Sequence, residues 1–329
     1  MVYFFHVYIF YLIRERICDM KKFLIAAVIF LVYILTPALI TMFVTGVTEE
    51  NITQENVYGP RVNVKYKNAS KSVEVNEFAT MVLADRFETT DEAEVLRAMA
   101  IMIRTDIYRI MGEEMSVDSE NLGMDYMTVS NMKNEWGKNY EEYYNLIHDS
   151  VTSTGQMVIT YNGNPIDAKY TRVCNEKTMS GSEVLGEEYA YLAQTDCPDD
   201  LTSSDFLKVV TITAKEFVKK INNAFEGSGI DEDNPAADIQ VVSKRENGYV
   251  EKLQVGNVLM TGETFAKILE LNSPFFTIES DNNNVKITTK GKGSGFGVSL
   301  YTANNMARSG STYEEIIQKF YSGVSIVSR

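Results

Sequence analysis

A glycine-rich run near the C-terminus is the stretch whose residue types and spacing most readily suggest chemistry. It reads GKGSGFGVSLYTANNMARSG, from Gly291 to Gly310, and leads into a segment of helical character. Glycine-rich loops in front of a helix often cradle phosphate through their backbone N–H groups. The dinucleotide fingerprint, however, needs G-x-G-x-x-G, and a P-loop needs Gly-Lys followed by Ser or Thr; the run contains neither. It therefore predicts a tight turn whose glycines adopt positive φ.

Two cysteines form the next candidate for chemistry. Cys174 and Cys197 lie on the same side of the apolar N-terminal segment, and in an oxidising compartment they predict a disulfide. Two free buried thiols are the alternative. We expect no metal site and no cofactor, because His6 and His148 are the only histidines and the chain has no Cys-x-x-Cys pair.

Composition excludes some classes of partner. The chain has 329 residues, 45% of them hydrophobic and 23% charged, which is an ordinary globular balance. The net charge of −14 repels nucleic acid and anionic lipid surfaces, so we expect no nucleic-acid partner.

The N-terminal region predicts a membrane anchor. Residues 23–44 carry no charge and are long enough to cross a bilayer as a helix. Basic residues precede them and Glu49 and Glu50 follow, which predicts residues 1–22 in the cytoplasm and the rest outside. A cleaved signal peptide, the alternative, usually has a shorter apolar core. One interpretation of residues 1–19 is an upstream extension before a natural start at Met20.

The elements that must position these residues mix strands and helices without strict alternation, which predicts an α+β fold. Residues 45–72 read as a stalk with one strand, and 73–329 as a single extracytoplasmic domain. Thr89 and Glu92 predict a capping box for a helix that ends at Gly112, and Asn162-Gly163 predicts a tight hairpin turn. Two more capping boxes are predicted, one at Thr213 and Glu216 and one at Ser311 and Glu314.

Three segments, in order, resemble the stage II sporulation protein D (SpoIID/LytB-like) family of membrane-tethered lytic transglycosylases. GSGFGVSLYTANNMARSGSTYEEIIQKFYSG, residues 293–323, follows the family's G-H-G-V-G-M-S-Q-Y-G-A and the M-A-x-x-G segment after it without a gap. NEFATMVLADRFE and EVLRAMAIMIRT resemble its A-x-E-M-P and A-R-T segments. Residues 161–198 resemble its open hairpin. The resemblance covers roughly residues 72–325 and implies the family's fold and a role at peptidoglycan.

Departures from the family pattern bear on catalysis. The resemblance places Arg86 at the family's catalytic glutamate and Ser294 at its histidine. A lytic transglycosylase needs a carboxyl group that protonates the leaving oxygen and then accepts the proton of the muramyl 6-hydroxyl. An arginine stays charged near neutral pH and cannot do this. Asp85 and Glu88 are weak substitutes, whose alternative role is that of solvated or ion-paired surface acids.

The resemblance also implies a glycan-binding set, although Arg104 and the tyrosines have structural alternatives. Its members are Arg86, Arg104, Tyr170, Gly293, Ser294, Gly295, Ser299 and Tyr301.

The sequence therefore predicts a single-pass membrane protein with a degenerate SpoIID-like domain. The loss of the catalytic glutamate favours a protein without enzyme activity. Its expected partners are peptidoglycan glycan strands, wall hydrolases and other sporulation membrane proteins, in sporulation or wall remodelling. One alternative is an active lytic transglycosylase with a relocated acid. Another is a protein–protein interaction module without glycan contact.

Overall fold

A computed structural model describes residues 59–66, 69–231, 233, 235, 237–245, 248–281 and 283–329. The predicted anchor at 23–44, the cytoplasmic segment before it and most of the predicted stalk lie outside these residues. Within the described part of the chain, no helix combines the length and apolar character that a bilayer crossing needs.

The helices of the described residues range from one turn to five turns. They are α1 (Val75–Arg86), α2 (Ala93–Met111), α3 (Ser119–Leu122), α4 (Val129–Trp136), α5 (Tyr140–Ser153), α6 (Gly181–Val184), α7 (Ala214–Ala224), α8 (Gly262–Ile268), α9 (Leu300–Arg308) and α10 (Tyr313–Phe320).

The strands are short and almost all antiparallel. They are β1 (Arg61–Tyr66), β2 (Ala69–Glu74), β3 (Ser116–Asp118), β4 (Met157–Tyr161), β5 (Asn164–Pro165), β6 (Tyr170–Val173), β7 (Leu207–Thr213), β8 (Ile239–Lys244), β9 (Val250–Val255), β10 (Val258–Thr261), β11 (Phe276–Asp281), β12 (Asn284–Lys290), β13 (Lys292–Gly293), β14 (Val298–Ser299) and β15 (Ser325–Ser328). Over the described ranges they form five three-stranded sheets, in the orders β2-β1-β3, β10-β9-β8, β11-β12-β7, β13-β6-β14 and β15-β4-β5. This mixture of helices and small sheets confirms the predicted α+β class.

Helix α2 is the central element of the main core. Its apolar side chains recur at helical spacing, and α1, α5, α9, α10 and β4 all pack against it. Leu96, Ile103 and Ile107 are fully buried in this core. Gly112 ends the helix as predicted, with φ +62° and its N–H bonded to the Tyr108 carbonyl.

A second hydrophobic core lies in the segment between β7 and β12, which we call the inserted module (Leu207–Lys290). Phe217, Phe265 and Leu253 form its centre. The main core is built mostly from residues on both sides of this module in sequence, and Tyr249 and Phe275 of the module also pack in it.

Several local predictions are confirmed. Asn162 and Gly163 form the hairpin turn between β4 and β5 with φ of +51° and +82°. Thr213 caps α7 by accepting the Glu216 N–H.

Two predicted helix starts are wrong by a few residues. Helix α2 begins at Ala93 with no side-chain cap, because the Glu92 N–H, which Thr89 would accept in the predicted box, bonds to Asn304 Oδ1. The last capping box is formed by Thr312 and Glu315, one residue after the predicted pair, since these residues exchange both bonds.

The predicted stalk is also too long. Residues 61–66 and 69–74 form the β1–β2 hairpin, whose Val62, Val64 and Val73 are fully buried in the main core. The folded part of the chain therefore starts before residue 73.

Candidate functional site

Strand β6 forms the floor of the candidate site. It pairs antiparallel with β13 and parallel with β14, so the glycine-rich turn that joins those two strands loops over it. Thr171, in the middle of β6, donates its hydroxyl to the Lys292 carbonyl at 2.9 Å and accepts the Gly295 N–H at 3.3 Å. One side chain thereby fixes both arms of the turn.

The glycines of the turn adopt the conformation predicted from their spacing. Gly291, Gly293, Gly295 and Gly297 all have positive φ, between +68° and +114°. A Cβ on Gly297 would overlap the Lys169 carbonyl, and one on Gly293 would lie 2.5 Å from Thr171 Oγ1. Close approach to β6, as well as φ, therefore requires glycine here.

Asp200 anchors the far end of the turn, where α9 begins. Its side chain is fully buried and accepts hydrogen bonds from Ser299 Oγ at 2.6 Å, Thr302 Oγ1 at 2.7 Å and the Cys174 N–H at 2.5 Å. Ser299 in turn accepts the Thr302 N–H as the N-cap of α9. A buried carboxylate needs such donors to offset its lost hydration.

The opposite flank of β6 carries Arg86, the last residue of α1. Its guanidinium lies over the Tyr170 ring, 5.3 Å from the ring centre. Arg172, two residues along β6, donates to the Arg86 carbonyl at 2.5 Å and pairs with Asp91 at 2.9 Å and with Glu88 at 3.1 Å. The end of α1 is therefore tied to β6 through backbone and side chain alike.

Lys292 connects this flank to the turn. Its ammonium lies 2.8 Å from Asp205 and 3.8 Å from Glu88. Arg86 and the glycine-rich turn thus meet at β6, one over Tyr170 and the other paired with Thr171. Ser294 is half-buried and its Oγ accepts the Phe296 N–H, while Gly293 is exposed.

Comparison with known proteins finds similarity to one family. A family model for the stage II sporulation protein, SpoIID, matches residues 64–161. Stage II sporulation protein D of Bacillus subtilis (strain 168) is 29% identical over 272 residues, which cover 79% of this chain and 77% of that protein. The protein of the same name from Bacillus amyloliquefaciens is 27% identical over equal shares. An uncharacterized protein of Brachyspira hyodysenteriae is 22% identical over 85% of this chain and 75% of its own length.

The chain is therefore similar to stage II sporulation protein D over most of its length and carries the SpoIID family match at residues 64–161. The assignment of Arg86 to the position of that family's catalytic glutamate remains a prediction from the resemblance of NEFATMVLADRFE.

The two acids considered as substitutes differ in setting. Glu88 is half-exposed and forms ion pairs with Arg172 and Lys292. Asp85 lies near the end of α1 and is exposed. Partial shielding of its carboxyl group from water raises its pKa, and the negative charges of Asp125 and Glu135 add to this rise. The positive charge of Arg86 offsets part of it. The raised pKa of Asp85 is of the kind that a proton donor needs.

Asp106 on α2 is a site residue that the sequence interpretation missed. Its side chain is 15% exposed, and Oδ1 accepts the Ala168 N–H at 3.0 Å and faces Arg109 Nε at 3.4 Å. Burial raises the pKa of its carboxyl, and the Ala168 bond and the charges of Arg109 and Arg86 oppose that rise. Because Ala168 leads into β6, Asp106 shares the surroundings of Arg86. Its position directly after Arg104-Thr105, in the segment that resembles A-R-T, was the available signal.

Two members of the predicted glycan-binding set require correction. Arg104 is fully buried and donates to Asn76, Met157, Val151 and Thr154, which leaves no surface for a glycan. Ser299 is likewise fully buried against Asp200. Both are structural anchors, the alternative already raised for Arg104. Burial lowers the pKa of the Arg104 guanidinium to about 10.

The other predicted members are two tyrosines and three residues of the glycine-rich turn. Tyr170 is half-buried under Arg86, and Tyr301 is half-buried with its hydroxyl 3.1 Å from Thr202 Oγ1. Gly295 is buried, so of the turn only Gly293 and Ser294 offer surface.

Cys174 and Cys197 are buried free thiols at the edge of this site. Their sulfurs and a carboxylate oxygen of Asp200 lie within 4.8 Å of one another, the one grouping of potential metal ligands found over the described ranges.

Proposed function

We propose that this chain is a membrane-anchored cell-wall protein that binds peptidoglycan glycan strands and has lost cleavage of its own. Its family and the names of its relatives give a sporulation- and cell-wall-related protein. The proposal of glycan binding without cleavage rests on Arg86. A permanent cation stacked on Tyr170 occupies the position where the family resemblance expects a proton-shuttling carboxyl group.

The surroundings of Arg86 suit binding better than bond cleavage. Arg86, Arg172 and Lys292 gather on and beside β6 in a protein of net charge −14, and Gly293 and Ser294 leave the turn open. Glu88 is engaged by two of these cations. Positive charge and an aromatic ring offer hydrogen-bond donors and a stacking face to a sugar chain, whereas the Arg86 guanidinium cannot exchange a proton as a glutamate would.

Retention on insoluble peptidoglycan tests the binding. The full-length protein in detergent should sediment with purified sacculi, and Arg86→Ala should reduce that retention at least several-fold. Arg61→Ala is the matched control, because it removes the same charge from β1, outside the site, and should bind normally. No retention of the wild type would overturn the proposal in favour of a protein–protein interaction module.

Fragment analysis tests the loss of cleavage. Sacculi incubated with the wild-type protein should yield no anhydro-muropeptides by mass spectrometry. Arg86→Glu combined with Ser294→His restores the family residues and should return detectable anhydro products, since the glycine-rich turn and β6 are intact.

An active lytic transglycosylase is the second candidate, favoured by the raised pKa of Asp85 and Asp106 beside Arg86. In that case the wild type itself releases anhydro products. Asp106→Asn and Asp85→Asn, made separately, would then identify the donor, because a missing general acid removes about 10²–10⁴-fold of rate.

A further inference from the structure

Cys174 and Cys197 stand out among the groups that the proposed function leaves unused. Cys174 directly follows β6, and Cys197 directly precedes the short 3-10 helix Pro198–Thr202 that carries Asp200. Both side chains are almost completely buried, with exposures of 1% and 0%.

Backbone pairing, independent of the sulfurs, holds the two cysteines together. The Cys197 N–H donates to the Glu176 carbonyl at 2.7 Å, and the Thr178 N–H donates to the Thr195 carbonyl at 2.9 Å. Lys177 and Asp196 form a bridge of the same antiparallel ladder. A bond between the sulfurs would therefore need side-chain rotation and small shifts only, within a separation that is already below 4.8 Å.

A metal ion is a poorer explanation of the cluster. Asp200 already accepts three hydrogen bonds, from Ser299, Thr302 and Cys174. Structural zinc sites take four Cys or His ligands, and among the residues that the structure describes this grouping offers two sulfurs and one committed carboxylate.

We propose that Cys174 and Cys197 form a disulfide that fastens the end of β6 to the segment holding Asp200. Each thiol gives up one proton and one electron, and an S–S bond joins the two sulfurs. The two electrons reduce the S–S bond of an oxidised thiol-exchange partner, a disulfide oxidoreductase or a small-molecule disulfide, to two thiols. This proposal rests on the proposed function, which places the domain outside the cytoplasm, where disulfides form and persist.

The surroundings also fix when the bond forms. The contact with Cys197, burial and the charge of Asp200 all raise the pKa of the Cys174 thiol, so a thiolate is scarce in the folded protein. Exchange needs a thiolate and access. The bridge therefore forms while the chain folds, and afterwards it resists reduction, as a structural bond rather than a switch.

Peptide mapping tests this directly. Full-length protein is refolded in detergent with an oxidised/reduced glutathione mixture, alkylated, and digested with trypsin. We expect peptide 173–177 joined to peptide 178–208, with Cys18 the alkylated cysteine. The same oxidant added to protein folded in reductant should form the bridge at least ten-fold more slowly.

Stability provides the second measurement. The oxidised wild type should unfold about 5–10 °C above the reduced form, since the bridge constrains the unfolded chain. Cys174→Ala with Cys197→Ala is the matched control, whose Tm should not respond to the oxidant. The wild-type peptide map remains decisive if this variant folds poorly.

Two results would overturn the proposal: both cysteines alkylated after oxidative refolding, or stoichiometric zinc in the wild type that is lost in the double variant. Protein recovered from the cell envelope with both thiols free would overturn it for the living cell. None of these results affects retention on sacculi, so failure of the bridge and failure of the glycan-binding proposal are distinguishable.

Discussion

The two flanks of β6 differ in how far packing dictates their residues. On the turn flank, Asp200, Ser299 and Gly297 are buried, and each satisfies a contact that no other residue type would satisfy as well. On the α1 flank, Arg86 is half-buried over Tyr170 and contributes its carbonyl, rather than its side chain, to the bond with Arg172. The scaffold of the site is thus fixed by burial, while the side chain at position 86 can change without disturbing it.

The largest expected effect is on the turn flank. Gly297→Ala should lower the free energy of unfolding by about 3–5 kcal/mol, because the new Cβ overlaps the Lys169 carbonyl at a residue with φ +68°. Gly310→Ala is the matched control. Gly310 has φ +95° but open space around it, so its loss should be about 1 kcal/mol. Denaturant unfolding measures both, and equal losses would show that φ alone, without the close approach, requires glycine.

Removing the Asp200 carboxylate should have the next largest effect. Asp200→Ala leaves the Ser299 and Thr302 hydroxyls and the Cys174 N–H buried without their acceptor, at a cost of about 3 kcal/mol. Asp196→Ala removes an exposed carboxylate paired only with Lys177 and should cost at most about 0.5 kcal/mol. A small loss at Asp200 would mean that water replaces the carboxylate and that the turn is less tightly fixed than its contacts indicate.

The sequence predicted those features of the site that depend on residues adjacent in the chain. The positive φ of the glycines and the Asn162-Gly163 turn were predictable because steric rules act on adjacent residues. Asp200 and Asp106 were not predictable, because their partners lie far along the chain: Ser299 is 99 residues from Asp200, and Ala168 is 62 from Asp106. Sequence alone left Arg104 between a binding and an anchoring role for the same reason, since the groups that bury it come largely from α5 and β4.

The inserted module was missed for a related reason. The capping box at Thr213 and Glu216 was predicted, yet nothing local indicates that Phe217 and Phe265 pack into a core separate from that of α2. The choice of partner between two apolar faces is decided by chain topology, which local patterns do not encode.

A smaller effect is expected at Asp106, and its sign depends on pH. Because the folded pKa is raised, the carboxyl stabilises the fold below its unfolded pKa, and this contribution is lost as pH rises through the folded value. Asp106→Asn should therefore be more stable than the wild type at pH 7, by about 1 kcal/mol, and lose this advantage near pH 3. Asn Oδ1 can still accept the Ala168 N–H. Asp149→Asn, at an 81% exposed side chain, is the control and should change the stability at pH 7 by at most about 0.5 kcal/mol. A wild type more stable than Asp106→Asn at pH 7 would mean that the cations around Asp106 outweigh its burial.

The smallest effect on stability is expected at Arg86 itself. Arg86→Ala removes the contact with the Tyr170 ring, worth about 0.5–1 kcal/mol, while the bond from Arg172 to the residue 86 carbonyl survives. Arg86→Lys keeps the charge near the ring and should recover part of that loss. Unfolding measured beside retention on sacculi separates the two consequences, since we expect binding to fall several-fold while stability barely changes. A loss above about 2 kcal/mol would contradict the contrast between the flanks: Arg86 would then be held by packing, as Gly297 is, and an arginine at position 86 would need no explanation from binding.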